Sequence, residues 1–286
     1  MFNVIKRNIR DALPVLVMCL SSSQIFYAFI CQPNTLSKSF YDFLKIHSGA
    51  RDIFGENSDN FLKLMGKTIE IGNQGESTRI NHSSKLPIEE IMEFKNHSVD
   101  SLDYVLCSLS HGQTTSCVVN ACTLWRAEFF RALKLNGPIT LLMAAIYKRH
   151  ILVKTPNIFL KDLTRAILRS SAFLSFYGAT AWYIPCVLRH YFKSDKTWFY
   201  RVNGIVSGSM LFLESPSKRV EIALYCFPRA IESFWNDGVR RGWFKNIKNG
   251  EILYFSLSAG VLMTLFDHKR DCVQIELAII MDWFIR

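Results

Sequence analysis

The chain has 286 residues, which is enough for one large domain or for two of ordinary size. Hydrophobic residues make up 49% and aromatic residues 13%, whereas charged residues are only 20%, and this balance excludes a disordered, collagen-like or acidic-tail protein. The net charge of +10 points to an anionic partner, either nucleic acid or a membrane surface.

The first predicted element is an apolar helix. Residues 12–31 form a run of 20 uncharged residues, which is close to the length that crosses a hydrocarbon core, and Lys6, Arg7 and Arg10 precede it. A cleaved signal peptide has a similar pattern, but this run lacks a small-x-small cleavage site. We therefore expect residues 1–47 to form an N-terminal transmembrane segment.

The next segment, residues 48–100, differs in composition. Its glycines, scattered Asn and Ser residues and sparse apolar residues predict a polar, flexible loop with at most short helices. A loop of this length is uncommon inside a compact domain and is typical of a functional or mobile segment.

A cluster of thiols and one imidazole follows the loop. Cys107, His111, Cys117 and Cys122 have the spacing Cys-x3-His-x5-Cys-x4-Cys. Thiolate and imidazole are the ligands that zinc prefers, but standard zinc patterns contain Cys-x2-Cys pairs. The alternative interpretation, buried structural thiols beside one polar histidine, remains open.

The second apolar run that is long enough to cross a bilayer is 170–188, with 19 uncharged residues. Trp182 and Tyr183 lie near its end, as interfacial aromatic residues do, and Pro185 predicts a bend. A basic amphipathic helix over 158–169 leads into it. The remaining apolar runs are shorter and predict buried or half-spanning helices: 135–147, 202–213 and 252–266.

Two further features belong to these runs. Gly204 and Gly208 form a GxxxG pattern, which allows two helices to pack closely in lipid. Ionisable residues flank or interrupt apolar sequence, so that they either pair within the membrane or reach its interface. These residues are Arg169, Arg189, Glu214, Arg219, Glu221, Arg229 and Glu232.

The distribution of charge separates the two candidate partners. Between Arg165 and Lys248, 13 basic residues stand against 5 acidic ones, and they bracket apolar runs rather than forming one stripe. This pattern favours a membrane and argues against nucleic acid. The predicted fold is therefore all-α, a multispanning transmembrane bundle with short or kinked helices, whose main part is 101–286. A soluble α-helical bundle that binds apolar ligands is the alternative.

Several motifs resemble the transmembrane protein 135 family, and most of all its fungal-type members. The block 169–174 reads Arg-Ser-Ser-Ala-Phe-Leu, and the block 248–252 reads Lys-Asn-Gly-Glu-Ile. The resemblance runs from about Cys107 to Phe266 and includes His111 and Cys117.

The resemblance implies a multispanning helical membrane protein of peroxisomes or mitochondria, in a family that is linked to lipid and fatty-acid handling. We therefore expect a non-enzymatic protein of lipid or metabolite transport or of membrane organisation, with the lipid bilayer, further copies of itself or other membrane proteins as partners. No catalytic residue and no cofactor are expected. The alternative is an intramembrane lipid-modifying enzyme in which the cysteine and histidine cluster binds a metal.

Overall fold

The structure is a computed structural model that describes residues 2–48, 58–76, 78–79, 103–110, 114–147, 155–245 and 249–268. These residues are almost entirely helical, and within them the only β-type pairing is an isolated bridge between Arg79 and Tyr104. The fold class is all-α, as predicted. The helices are α1 (Phe2–Cys31), α2 (Lys38–His47), α3 (Ser58–Asn73), α4 (Val105–Ser110), α5 (Cys117–Tyr147), α6 (Pro156–Phe192), α7 (Thr197–Ser209), α8 (Pro216–Arg240) and α9 (Gly250–His268).

The chain forms two compact units, Met1–Asp237 and Gly238–Arg286. In the first unit, α1 packs along α7, α5 packs along α6, and α6 also contacts α7. Its main core brings together apolar side chains from α1, α2, α3, α4 and α7, which include Phe29, Phe61, Leu106 and Phe199. The N-terminal segment is thus an integral part of this unit.

From Asp11 onwards, most side chains of helix α1 are buried inside the protein. Its segment Asp11–Cys31 is long and apolar enough to cross a bilayer, and 67% of its most apolar stretch is buried. Polar side chains tie it to distant elements: Ser22 is hydrogen-bonded to the Tyr177 hydroxyl at 3.0 Å, and Gln24 accepts a hydrogen bond from Arg201 at 3.2 Å. Such bonds between helices are typical of helix packing in membranes.

The backbones of α1 and α7 approach each other at two glycines. A Cβ atom at Gly204 would lie 2.4 Å from the carbonyl oxygen of Ser22, and one at Gly208 would lie 2.7 Å from the Cα of Cys19. Ser207, between them in sequence, is fully buried. The residues of the GxxxG pattern therefore lie in the contact between these two helices.

Helix α3 differs from the polar loop expected over 48–100. Residues 58–73 of this segment form a helix of 16 residues, one face of which packs into the core through Phe61, Leu64, Met65 and Ile69. These apolar residues follow helical spacing. They were missed because the composition of the whole segment is polar and hides a short apolar stripe.

Helices α5 and α6 are longer than the apolar runs within them, and each contains a proline. Helix α5 has 31 residues and includes Pro138, and α6 has 37 residues and includes Pro185. Pro156 occupies the first turn of α6, where the missing N–H costs little. The helix ends at Lys193, whose φ of 53° places it in the left-handed region.

The second unit contains the turn after α8 and helix α9. The amide of Trp243 donates to the carbonyl of Gly238 at 2.8 Å, and Gly242 takes a φ of 76°, which favours glycine. Helix α9 has 19 residues and exposes most of its apolar side chains.

Candidate cysteine and histidine site

Three thiols and one imidazole meet where α4, the start of α5 and the end of α6 come together. Cys107 lies on α4, Cys117 is the first residue of α5, and Cys186 and His190 lie on α6. The ligand atoms of Cys107, Cys117 and His190 are all within 4.8 Å of one another. Cys186 packs with Cys107 and Cys117 in one buried cluster and lines the same small cavity as Cys117, so that all four side chains are neighbours.

The helical repeat of α6 explains the position of His190. Residues four apart lie on the same helix face, so His190 stacks one turn beyond Cys186. Its Nδ1 lies 2.9 Å from the Cys186 carbonyl oxygen, and the ring of Tyr104 packs edge-on against the imidazole at 5.4 Å. When Nδ1–H donates to this carbonyl, Nε2 keeps its lone pair free.

A buried ion pair supports the cluster from within the bundle. The Arg189 guanidinium pairs with the Asp195 carboxylate, and both side chains are almost completely buried. The same guanidinium donates from Nη1 to the Cys107 sulfur at 3.1 Å and lies 3.8 Å from the Cys186 sulfur. Arg189 therefore places a positive charge directly beside two of the three thiols.

The turn between α6 and α7 brings Asp195 into this position. Lys193, in the left-handed region, caps the C-terminal end of α6, and Asp195 lies in the turn that follows. Helix α3 supports the turn, because a Cβ atom at Gly72 would collide with the Asp195 carbonyl oxygen. The side chain of Asn73 accepts a hydrogen bond from the Thr197 amide at 3.1 Å, which satisfies a donor at the first turn of α7.

The thiols of the cluster differ in acidity. A hydrogen bond with Cys186 and burial raise the pKa of Cys107 well above its ordinary value, although Arg189 opposes this effect. A hydrogen bond with Cys186 lowers the pKa of Cys117. Without a metal, Cys107 is thus a neutral thiol at physiological pH.

The structure brings together only part of the cluster that the sequence suggested. Cys107 and Cys117 are neighbours, whereas the side chain of Cys122 is exposed on α5. His111 lies outside the described residues. The sequence interpretation missed Cys186 and His190, whose spacing of four on a helix was the available signal.

The ionisable residues named from the sequence take several different positions. Glu214 is buried, and Arg219 donates to the carbonyl oxygens of Glu214 at 2.9 Å and Phe212 at 2.7 Å. Arg169 donates to the Leu213 carbonyl, so both arginines hold the turn after α7. Two others form an exposed pair: Arg229 Nη1 lies 3.4 Å from a Glu232 oxygen. The side chain of Glu221 is exposed.

Comparison with known protein families identifies the region that contains this site. Residues 104–239 match the family model for the N-terminal cysteine-rich region of Transmembrane protein 135. The match relates these residues to the transmembrane protein 135 family. The site lies wholly inside the cysteine-rich region, since Cys107, Cys117, Cys186 and His190 all fall within the match. No solved structure matches the chain.

The family and the helices together indicate a membrane protein. Within the described residues, two helices are long and apolar enough to cross a bilayer, Asp11–Cys31 in α1 and Pro156–Phe192, which is α6. The uncharged part of α6 ends at Leu188, so Arg189 and His190 stand at the boundary of the apolar run. The thiol cluster of the matched region thus lies at one end of a candidate span.

Proposed function

We propose that this protein is a multispanning membrane protein of peroxisomes or mitochondria. In this proposal it takes part in the handling of lipids or fatty acids, or in the organisation of the membrane, without catalysing a reaction. The observation that carries the proposal is the large apolar surface on the outside of the helices.

This surface is most continuous on α5 and α9. Exposed apolar side chains follow one another along both helices, and no pattern of polar residues separates an inner from an outer face of α9. A helix that is apolar all round requires either protein or lipid around it. The exposed side chains include Val118, Phe130, Ile139, Leu142 and Ile146 on α5, and Ile252, Leu253, Phe255, Leu257 and Val261 on α9.

The first part of α6 supplies a complementary basic face. Lys161, Arg165 and Arg169 recur every four residues along an open groove that Asn157 and Thr164 also line. Residues with this spacing share one side of a helix. Basic side chains beside an apolar span attract anionic headgroups, each with about 1 kcal/mol. This face supports an association with acidic lipids or with the carboxylates of fatty acids.

The experiment that tests the function is a lipid-movement assay. The full chain is reconstituted into liposomes with anionic phospholipid, and the movement of a fluorescent fatty acid between the leaflets is followed by quenching. We expect the protein to accelerate this movement over empty liposomes. We also expect Lys161→Gln/Arg165→Gln to slow it, because the headgroup loses two positive partners.

A matched control is Arg240→Gln/Arg241→Gln, which removes the same charge outside the α6 groove. Equal rates for protein-containing and empty liposomes would contradict the transport proposal. Recovery of chemically altered lipid by mass spectrometry would favour the enzymatic alternative instead.

A further inference from the structure

We propose that Cys107, Cys117, Cys186 and His190 bind one structural zinc ion. Three thiolates and one imidazole form one of the standard ligand sets of structural zinc sites. The proposal is independent of the lipid function, because it concerns what joins α4, α5 and α6. It also replaces the ligand set suggested by sequence spacing, in which His111 and Cys122 took the last two positions.

The distances are compatible with a closed zinc site. Ligand sulfurs in a tetrahedron with bonds of about 2.3 Å lie about 3.8 Å apart. The ligand atoms of Cys107, Cys117 and His190 already lie within 4.8 Å of one another, so a contraction of about 1 Å would bring these three to one ion. Cys186, which packs against Cys107 and whose sulfur lies 3.8 Å from the same Arg189 nitrogen that contacts Cys107, would supply the fourth ligand.

The surroundings of the cluster match what zinc ligands need. A zinc-bound histidine usually donates its second N–H to a carbonyl or carboxylate, and Nδ1 of His190 lies 2.9 Å from the Cys186 carbonyl oxygen. Three thiolates, one neutral imidazole and Zn²⁺ carry a net charge of −1. Arg189, whose Nη1 lies 3.1 Å from the Cys107 sulfur, would stabilise this charge.

Zinc binding at this site requires no oxidant or reductant. Zn²⁺ displaces the protons of three thiols, each S–H bond is replaced by a Zn–S bond, and three protons pass to the solvent. A disulfide is the competing fate of adjacent thiols, but it would use only two sulfurs and leave His190 without a role. Zinc uses all four side chains.

The test uses the full chain, purified in detergent without chelators. Zinc is measured per mole of protein, and the ion is then exchanged for cobalt, whose visible absorption reports tetrahedral thiolate coordination. We expect one zinc per chain. Removing a residue that only hydrogen-bonds to a metal ligand costs about 10–100-fold in metal affinity. Removing a ligand itself should cost more, so we expect His190→Ala and Cys186→Ser each to weaken cobalt binding by at least about 100-fold.

Two variants serve as matched controls. Cys122→Ser and His111→Ala remove the same types of side chain from the ligand set that sequence spacing favoured, and we expect both to keep the metal. Because the side chain of His190 is exposed, we expect its alanine variant to keep the fold, and circular dichroism checks this. His190→Cys, which restores a ligand, should recover tetrahedral cobalt absorption.

Three results would overturn the proposal. One is a protein without stoichiometric zinc that also fails to bind cobalt tightly. Another is retention of the metal in a folded His190→Ala or Cys186→Ser variant. The third is a disulfide between any two of Cys107, Cys117 and Cys186, detected by mass spectrometry of protein isolated with its thiols blocked.

Discussion

Arg189 is the largest side chain among those that the described part of the protein buries almost completely. Its charge is balanced by Asp195, and its Nη1 faces the sulfurs of Cys107 and Cys186. Taking two charges out of water is costly, and a buried pair tolerates the loss of one partner poorly. The pair thus makes the geometry of the thiol cluster depend on the α6–α7 turn.

We predict that Arg189→Met lowers the free energy of unfolding by about 3–5 kcal/mol, because it leaves the Asp195 carboxylate buried without its cation. Denaturant unfolding of the detergent-solubilised protein measures this change. The double variant Arg189→Met/Asp195→Leu should cost less than Arg189→Met alone, because it removes the uncompensated charge.

The exposed pair Arg229–Glu232 offers the matched control, since its atoms lie 3.4 Å apart and both side chains are 43% exposed. Arg229→Met should change the free energy of unfolding by no more than about 1 kcal/mol. Similar losses of unfolding free energy for Arg189→Met and Arg229→Met would show that the buried pair stabilises the fold no more than the exposed pair does.

At the scale of single residues, part of the thiol and imidazole cluster could be predicted from the sequence and part could not. Cys107 and Cys117 are near in sequence, so their proximity could be expected. Cys186 and His190 join them only through the packing of α6 against α5. Their spacing of four places both on one face of α6, but it does not show which helix that face meets. His190 also follows an arginine that looks like the interfacial end of a span.

At the scale of whole helices, the contact between α1 and α7 is the one most sensitive to side-chain size. Both glycines of the pattern lie where a Cβ atom would enter the backbone of α1. Small residues permit this approach, which in lipid provides van der Waals contact that larger residues would prevent. Helix α1 is therefore held by shape as well as by its hydrogen bonds.

We predict that Gly204→Ala lowers the free energy of unfolding by at least about 1–3 kcal/mol, because its methyl group must displace the backbone at Ser22 and Ser23. The melting temperature of the solubilised protein measures the effect. Gly137→Ala is the control, because a Cβ atom at this helical glycine of α5 meets nothing within 4 Å. It should leave stability unchanged or raise it by up to about 1 kcal/mol. Equal melting temperatures for Gly204→Ala and the wild type would show that the packing of α1 against α7 does not require a glycine at this position.

The helices themselves were predictable to different degrees. The amphipathic stretch before Ser170 and the uncharged run after it predicted most of α6, because both patterns follow directly from burial and from the thickness of a bilayer. The apolar residues of α3 lie within a stretch of mostly polar sequence, so the helix was not predicted. The structure shows that these residues pack into the core. The continuity of α5 through Pro138 likewise has no local signal, since proline usually interrupts a helix.

For the molecule as a whole, we predict that the protein stays in the pellet when membranes are washed with alkaline carbonate. This expectation rests on the two helices that are long and apolar enough to cross a bilayer and on the exposed apolar side chains of α5 and of α9. Peroxisomal and mitochondrial fractions, separated on a density gradient before the wash, show at the same time which organelle retains it.

Release of the protein into the supernatant, together with soluble marker proteins and apart from integral ones, would contradict the membrane assignment. It would favour the soluble bundle, in which Asp11–Cys31 is a core helix rather than a span. Retention in a fraction that contains neither peroxisomes nor mitochondria would leave the membrane assignment intact and contradict the proposed location.

The bonding of α1 has a consequence for biosynthesis. Gln24 pairs with Arg201, 177 residues later in the chain. At roughly 5–20 residues per second, translation takes roughly 9–35 s to cover that distance. During this delay a newly inserted α1 presents Ser22 and Gln24 before their partners exist, and polar groups without partners are costly in hydrocarbon. The bonds that tie α1 to the other helices can therefore form only after α6, α7 and α8 are made, because Gln24 also donates to Ser233 on α8 at 3.3 Å.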